Sequence, residues 1–128
     1  MNRTEDLLKL RPKLRRIKNE LNSTLVEKFQ NSTLRPILKF QHDLLMLVFH
    51  TCLIKNKILF ENLSESEKES TLTQLFQKEL AFRNQSLGII IGLFTLEEYS
   101  HFAQEPGAYT KRITAMLKQR ILSTYDLV

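Results

Sequence analysis

The stretch from Phe82 to Tyr99, FRNQSLGIIIGLFTLEEY, constrains the fold of this chain more than any other segment. Its apolar residues recur at helical spacing, Arg83 falls inside that apolar face, and Gly88 and Gly92 lie four residues apart. It ends in Thr95-Leu96-Glu97-Glu98, the pattern of a capping box that opens another helix. The segment therefore predicts a packed helical domain with a close contact between helices.

The whole chain, residues 1–128, has the length and composition of one globular domain. Its 42% hydrophobic and 26% charged residues are ordinary for a folded protein. Three glycines and three prolines leave little punctuation, which favours a few long helices. No run alternates apolar and polar residues as a half-buried strand does. The sequence thus predicts an all-α fold.

The apolar periodicity predicts a bundle of four main helices with one or two short extra helices. The predicted main helices run from Thr4 to about 29 with an interruption at Pro12, then over 34–56, 65–94 and 107–124, with a short helix over 95–104. Thr33 and Pro36 mark the predicted start of the second main helix. Ser64 to Glu67 forms a capping box for the third.

The second main helix is apolar on most of its sides, which predicts a central position with neighbours around it. Lys39, Asp43 and His50 form its one coherent polar stripe. Its longest apolar run, 44–54, is too short to span a bilayer, so we expect no membrane span. The N-terminus lacks the apolar core of a signal peptide, and we therefore expect a cytoplasmic protein.

Glu79 and Arg83 are four residues apart and, on one continuous helix, would lie together in the middle of its apolar face. A charged pair there needs mutual neutralisation or another partner, because an unpaired buried charge is unfavourable. The pair is interpreted either as a structural ion pair or as part of a binding site for a polar or anionic ligand. His42 and Tyr99 are the further residues that we assign to such a pocket.

Ala81, Gln85, Gly88 and Gly92 form a stripe of small residues on the opposite side of the same helix. Each glycine weakens a helix by up to ~1 kcal/mol relative to alanine, so a compensating contact is expected. The close approach of another backbone is the usual compensation. The helix over 95–104 or a second copy of the chain would supply it, and the stripe favours a homodimer.

The motifs of common catalytic and metal sites are absent from the sequence. Glu98-x-x-His101 has the spacing used in di-iron bundles, but those sites need two such motifs and further carboxylates. We therefore predict no metal and no cofactor. There is no Gly-rich phosphate loop, nucleophile elbow or Cys/His pair. Cys52, the only cysteine, lies in an apolar run and is expected to be a buried side chain. Whether the chain is an enzyme stays open.

The N-terminal region is basic, with ten Lys/Arg against four Asp/Glu in residues 1–40. A nucleic-acid interface through Arg11, Arg15, Arg16 and Lys18 is the weakest of the alternatives, because these side chains lie on both sides of a leucine stripe. They also lack the aromatic partners and the reading element of such interfaces. A solvated face is the favoured interpretation.

Residues 33–45 and 82–99 resemble a family of short uncharacterised bacterial proteins, some of which are labelled "glyoxalase". The resemblance implies a small cytoplasmic protein of unknown role. The glyoxalase fold is built from strands around a metal, and this sequence offers neither the strands nor the ligand spacing. No catalytic residue is therefore transferred.

Taken together, the sequence favours a non-enzymatic homodimer that acts as an interaction or regulatory protein with an unknown protein partner. The alternative is a ligand-binding or catalytic bundle with a pocket around Arg83 and Glu79. Nucleic-acid binding is the third and weakest hypothesis.

Overall fold

The computed structural model describes residues 2–13 and 24–126, and within these ranges it contains helices and no strand. The predicted all-α class is confirmed. In chain order the helices are α1 (Arg3–Leu10), α2 (Leu25–Phe29), α3 (Arg35–Lys55), α4 (Glu65–Lys78), α5 (Leu80–Ile91), α6 (Leu96–Gln104) and α7 (Pro106–Tyr125). A π-helical turn, Gln30–Leu34, joins α2 to α3, and a 3₁₀ turn, Phe60–Asn62, precedes α4.

Helix α1 is short and ends before the proline that the sequence marked. Asn2 caps it, accepting a hydrogen bond from the Glu5 amide at 3.0 Å, so Thr4 is not its cap. Arg11 is extended, with ψ 130°, because the residue before a proline avoids the helical region. The predicted leucine stripe continues beyond Pro12 through positions 14, 17 and 21, which lie outside the described residues.

The second main helix begins earlier than predicted, because α2, the π turn and α3 form one continuous helix from Leu25 to Lys55. Thr24 caps it by accepting a hydrogen bond from the Glu27 amide at 3.1 Å. In the π turn the Arg35 amide donates to the Gln30 carbonyl, five residues back. This wider turn stands directly before Pro36, where a proline ring would clash with the carbonyl four residues earlier. The helix therefore passes through Pro36 without ending.

The predicted helix over 65–94 is divided at Glu79, whose backbone (φ −95°, ψ 86°) is not helical. No glycine or proline marks the break, and the sequence pattern alone cannot locate it. The break turns α5 against α4. The ring centroids of Phe76 and Phe82 lie 4.7 Å apart, and both side chains are buried. The prediction that Glu79 and Arg83 share one helical face assumed a continuous helix and fails for this reason.

Both predicted capping boxes are confirmed. The Ser64 hydroxyl accepts from the Glu67 amide at 3.2 Å, and the Glu67 carboxylate accepts from the Ser64 amide at 3.1 Å. Thr95 and Glu98 make the same reciprocal pair, at 3.1 and 2.8 Å. These boxes fix the residues at which α4 and α6 begin.

The core lies between α3 and α5 on one side and α4 and α7 on the other. Helix α7 buries one residue per turn, as its periodicity predicts: Tyr109, Ile113, Leu117 and Ile121. Two aromatic groups fill the two ends of this core, Phe49, Phe60, Phe82 and Tyr125 at one end and Phe29, Phe94, Phe102 and Tyr109 at the other. Cys52 is buried, as expected.

Candidate functional site

Helix α3 leaves one of its apolar sides uncovered. Phe40, Leu44, Leu47 and Ile54 are 46%, 46%, 63% and 78% exposed. Their spacing of four, three and seven residues places them on one line along the helix. The sequence predicted a helix surrounded by neighbours, and within the described part of the chain this side has none. The line of large apolar side chains is the most prominent exposed feature of α3.

The small residues of α5 lie beside that line. A shallow groove of about 510 Å³ follows the seam of the two helices, lined by Leu47, Val48 and Thr51 of α3 and by Gln85, Gly88 and Ile89 of α5. The side-chain amide of Gln41 donates to the backbone carbonyl of Ile89 at 3.2 Å, and this hydrogen bond joins the two helices. We call this surface, the exposed stripe of α3 with the Ala81–Gln85–Gly88–Gly92 side of α5, the α3–α5 face.

Gly88 has open space where a side chain would stand, since a Cβ built there meets no atom within 4 Å. Helix α6 therefore does not pack on it, and among the described residues the expected intrachain contact is not made. Gly92 is different, because a Cβ there would meet the carbonyl oxygen of Gly88 at 2.9 Å. Gly92 has a local backbone reason to be glycine, and the described residues give no such reason for Gly88.

The continuous helix Leu25–Lys55 is also the one segment of the described chain that is long and apolar enough to cross a membrane by length and composition. In its most apolar window 39% of the residues are buried inside the protein. Core helices of soluble proteins pass the same test. This helix therefore needs a direct experiment to separate a protein partner from a lipid one.

The four residues assigned to a ligand pocket are not brought together. Arg83 lines an open cleft of about 710 Å³ between α4, α5 and α7, where Lys111 and Lys118 are further cations. Glu79 lines a smaller cleft, of about 180 Å³, between α3 and α5. His42 faces Arg120 of α7, and Tyr99 is half exposed on α6 beside Phe102. No ion pair joins Glu79 to Arg83 in the described residues.

An ion pair that the sequence did not reveal joins Arg11 to Glu98. Arg11 Nη1 donates to Glu98 Oε2 at 2.7 Å, and its Nη2 donates to Glu98 Oε1 and, at 3.0 Å, to the Leu93 carbonyl. The side chains are only 9% and 16% exposed. Thr33 donates its hydroxyl to Glu98 Oε2 at 2.7 Å. Thr33 is thus a partner of Glu98 rather than a helix cap.

Two arginines together hold the end of α5. Arg3 donates to the carbonyl oxygens of Phe94, at 2.7 Å, and Gly92, at 3.1 Å. With the bond from Arg11 to Leu93, three carbonyls at the negative end of the helix accept from cations. Such contacts satisfy orphan carbonyls and complement the helix dipole. The N-terminal segment is therefore fastened to the α5–α6 connection.

The surroundings of Glu98 act on its carboxylate in opposite directions. Burial raises the pKa of Glu98, and it is outweighed by the hydrogen bonds from Arg11, Thr33 and the Thr95 amide together with the charge of Arg11, so that the pKa lies below its ordinary value. The carboxylate is thus ionised and fully used by protein partners. In the described ranges, no group of three His, Cys, Asp or Glu side chains is placed to hold a metal.

Of the basic residues proposed for nucleic-acid contact, Arg11 lies within the described part of the chain. Arg11 is used internally by Glu98. Arg15, Arg16 and Lys18 lie outside the described residues. The nucleic-acid hypothesis therefore gains no support from the one member of the set whose contacts are defined.

Cys52 is in an environment that disfavours its thiolate. Burial raises the pKa of the Cys52 thiol, and the negative charge of nearby Glu79 raises it further, against smaller opposing effects of Asn56 and Lys55. Since the thiolate is the reactive form, the side chain behaves as a core residue.

No protein-family model matches this chain, and no curated protein or solved structure matches it significantly.

Proposed function

We propose that this protein is a homodimeric interaction protein of the cytoplasm, in which two copies associate through the α3–α5 face. The observation that carries the proposal is the exposed line of Phe40, Leu44, Leu47 and Ile54 beside the small residues of α5. A contiguous apolar surface of this kind is typical of a site that another molecule covers. In this proposal the protein acts by association rather than by catalysis.

The size of the face supports a protein partner. Helices of 21 and 12 residues are about 32 and 18 Å long at 1.5 Å per residue. With a helix spacing of 8–10 Å the face covers about 500 Å² of flat area. Side-chain relief makes the accessible area larger, which brings it towards the roughly 800 Å² per partner of standard interfaces.

The symmetry of the stripe favours a second copy as the occupant. Phe40 and Ile54 each lie seven residues from Leu47. If two α3 helices cross in antiparallel fashion about a two-fold axis near Leu47, Phe40 of one copy meets Ile54 of the other. A two-fold interface uses the same patch on both copies, and this spacing satisfies that condition. Open space at Gly88 leaves room for large side chains of the second copy.

The first experiment is analytical ultracentrifugation of the wild type and of Leu47→Glu between 1 and 500 μM. We expect a dimer for the wild type and a monomer for Leu47→Glu, because the two methyl groups of Leu47 would be replaced by a carboxylate at the interface centre of each copy. Leu96→Glu is the matched control, since Leu96 is similarly exposed but lies on α6. A strictly monomeric wild type at 500 μM contradicts the proposal.

A cross-linking experiment locates the axis. Leu47→Cys should form an intermolecular disulfide under mild oxidation, because side chains near a two-fold axis approach their own copies. Buried Cys52 gives little background. If Leu96→Cys cross-links as fast as Leu47→Cys, random collision explains the product. Flotation with phosphatidylcholine vesicles tests the lipid alternative. If the wild type floats with the vesicles and Leu47→Glu does not, the result would favour a membrane over a second copy.

A further inference from the structure

A second cleft, unrelated to the α3–α5 face, lies between the π turn with the start of α3 and the end of α7. Its volume is about 420 Å³. Arg35 and His42 line it from one side and Arg120 from the other, and Leu38 and Met116 supply apolar wall. Three nitrogen-bearing side chains from two distant parts of the sequence thus converge on one space.

The described residues do not balance the charge in this cleft. Among them no carboxylate lines the cleft, and none forms an ion pair with Arg35 or Arg120. Burial lowers the pKa of Arg120, and the positive charge of Arg35 lowers it further. Two arginines that repel each other in a partly buried space are stabilised by a negative ligand.

The hydrogen bonds of these cations leave donors for such a ligand. Arg35 Nε donates to the Asn31 side chain at 2.9 Å, which orients the guanidinium and leaves its terminal nitrogens for other contacts. Arg120 Nη1 lies 3.3 Å from His42 Nδ1. A guanidinium only donates, so Nδ1 accepts and the proton of the neutral imidazole is on Nε2. His42 is then also a donor.

Gln30 also lines the cleft, at the start of the π turn. Its side-chain oxygen Oε1 is buried and makes no hydrogen bond, and because it is buried it is not exposed to the cleft. Recognition of an anion therefore rests on the three nitrogen-bearing side chains.

We propose that this cleft binds a phosphate group, held by Arg35, Arg120 and His42. A phosphate group carries about 1.5 to 2 negative charges near pH 7, and arginine pairs match its oxygens in geometry. The π turn supports the assignment, because it places Gln30 and Arg35 at the same opening. Such irregular turns are frequent at functional sites.

The volume decides which phosphates fit. At about 30 Å³ per water molecule, a space of 420 Å³ holds far more than a free phosphate. The apolar walls of Leu38 and Met116 would contact a small organic group. The shared chemistry is therefore a phosphate group, carried either by inorganic phosphate or by a small phosphorylated molecule.

The test is a titration of the ¹⁵N-labelled protein with sodium phosphate at pH 7, followed by ¹H–¹⁵N NMR of the arginine Nε–H signals, with chloride keeping the ionic strength constant. We expect saturable shifts of the Arg35 and Arg120 signals. Removing one charge-assisted contact should raise Kd about 10- to 100-fold, so Arg35→Gln and Arg120→Gln are the test variants. Shifts that do not saturate by 50 mM would overturn the proposal.

Arg83→Gln is the matched control, because Arg83 lines the other cationic cleft with Lys111 and Lys118. It should leave Kd unchanged, and loss of binding in Arg83→Gln but not in Arg120→Gln would place the anion in that cleft and overturn the assignment. Arg35 is exposed, so Arg35→Gln decides the question if Arg120→Gln fails to fold. Unchanged Kd in Arg35→Gln is then the contradicting result.

One further ligand defines the source of the phosphate group. Glycerol 3-phosphate then separates the sources: tighter binding than inorganic phosphate indicates a phosphorylated small molecule, and equal or weaker binding indicates free phosphate.

Discussion

Replacement of Glu98 by alanine is the perturbation whose effect the structure defines best. It removes the acceptor of Arg11, of the Thr33 hydroxyl and of the Thr95 amide in one step. Arg11 is only 9% exposed and its Nε already lacks a partner, so the remaining cation is left nearly buried with the Leu93 carbonyl as its one described partner. Removing one partner of a buried ion pair lowers the free energy of unfolding by about 3–5 kcal/mol.

The assay is urea denaturation followed by circular dichroism at pH 7, with the free energy taken from the midpoint and the slope. A loss of this size is a large share of the roughly 5–15 kcal/mol that stabilises a typical domain. Glu67→Ala is the matched control, because Glu67 occupies the same position in the other capping box but is exposed and has no arginine partner. Its effect should be much smaller.

A double-mutant cycle isolates the ion pair from the cap. Arg11→Met, Glu98→Ala and the double variant should give a coupling energy of about 1–3 kcal/mol, because removing both charges leaves neither one buried alone. If Glu98→Ala is no more destabilising than Glu67→Ala, or if the two changes at Arg11 and Glu98 are additive, the reasoning is refuted. The N-terminal segment would then contribute nothing through this contact.

Three shorter predictions concern other properties. Folding lowers the pKa of Glu98, so the ionised carboxylate stabilises the folded protein. This stabilisation is complete above the ordinary carboxyl pKa of about 4.3 and is lost as pH falls through the lower pKa of the folded state. The difference in the free energy of unfolding between wild type and Glu98→Gln should therefore shrink from pH 7 to pH 3. In the monomeric Leu47→Glu background, thermal denaturation should show that Gly88→Ala stabilises by about 0.5–1 kcal/mol, whereas Gly92→Ala destabilises because its Cβ would meet a backbone oxygen at 2.9 Å. Cys52 should react with Ellman's reagent at pH 8 far more slowly in the native protein than in 8 M urea, since burial raises its pKa, and equal rates would contradict this.

The features that the sequence predicted correctly are local ones. A capping box depends on two residues three positions apart, and both Ser64–Glu67 and Thr95–Glu98 form as their spacing indicates. The one-per-turn burial of α7 likewise follows from the 3.6-residue period alone. In both cases the interactions join residues within one or two helical turns, so the local sequence is sufficient to predict them.

The features that the sequence did not predict depend on residues far apart in the chain. Arg11 and Glu98 are 87 positions apart, and nothing near either of them indicates the other. The break at Glu79 has no glycine or proline signal and accompanies the packing of Phe76 on Phe82. With that break, Glu79 and Arg83 line different clefts. The apolar pattern predicts one straight helix there, and the chain is not helical at Glu79.

On one side of α3 the apolar sequence pattern and the burial of the side chains disagree. Hydrophobic periodicity records which sides of a helix are covered in the working state of a protein, without distinguishing cover by the same chain from cover by another molecule. Around α3, the sides facing α5 and the core are covered, and the line of Phe40, Leu44, Leu47 and Ile54 is not. Gly88 similarly is a glycine that no contact with another described residue requires. A second copy on the α3–α5 face would account for both residual features at once, because it would cover the stripe and use the space at Gly88. The residues proposed to bind phosphate, Arg35, His42 and Arg120, lie outside the α3–α5 face, so Leu47→Glu should abolish association and leave phosphate affinity unchanged.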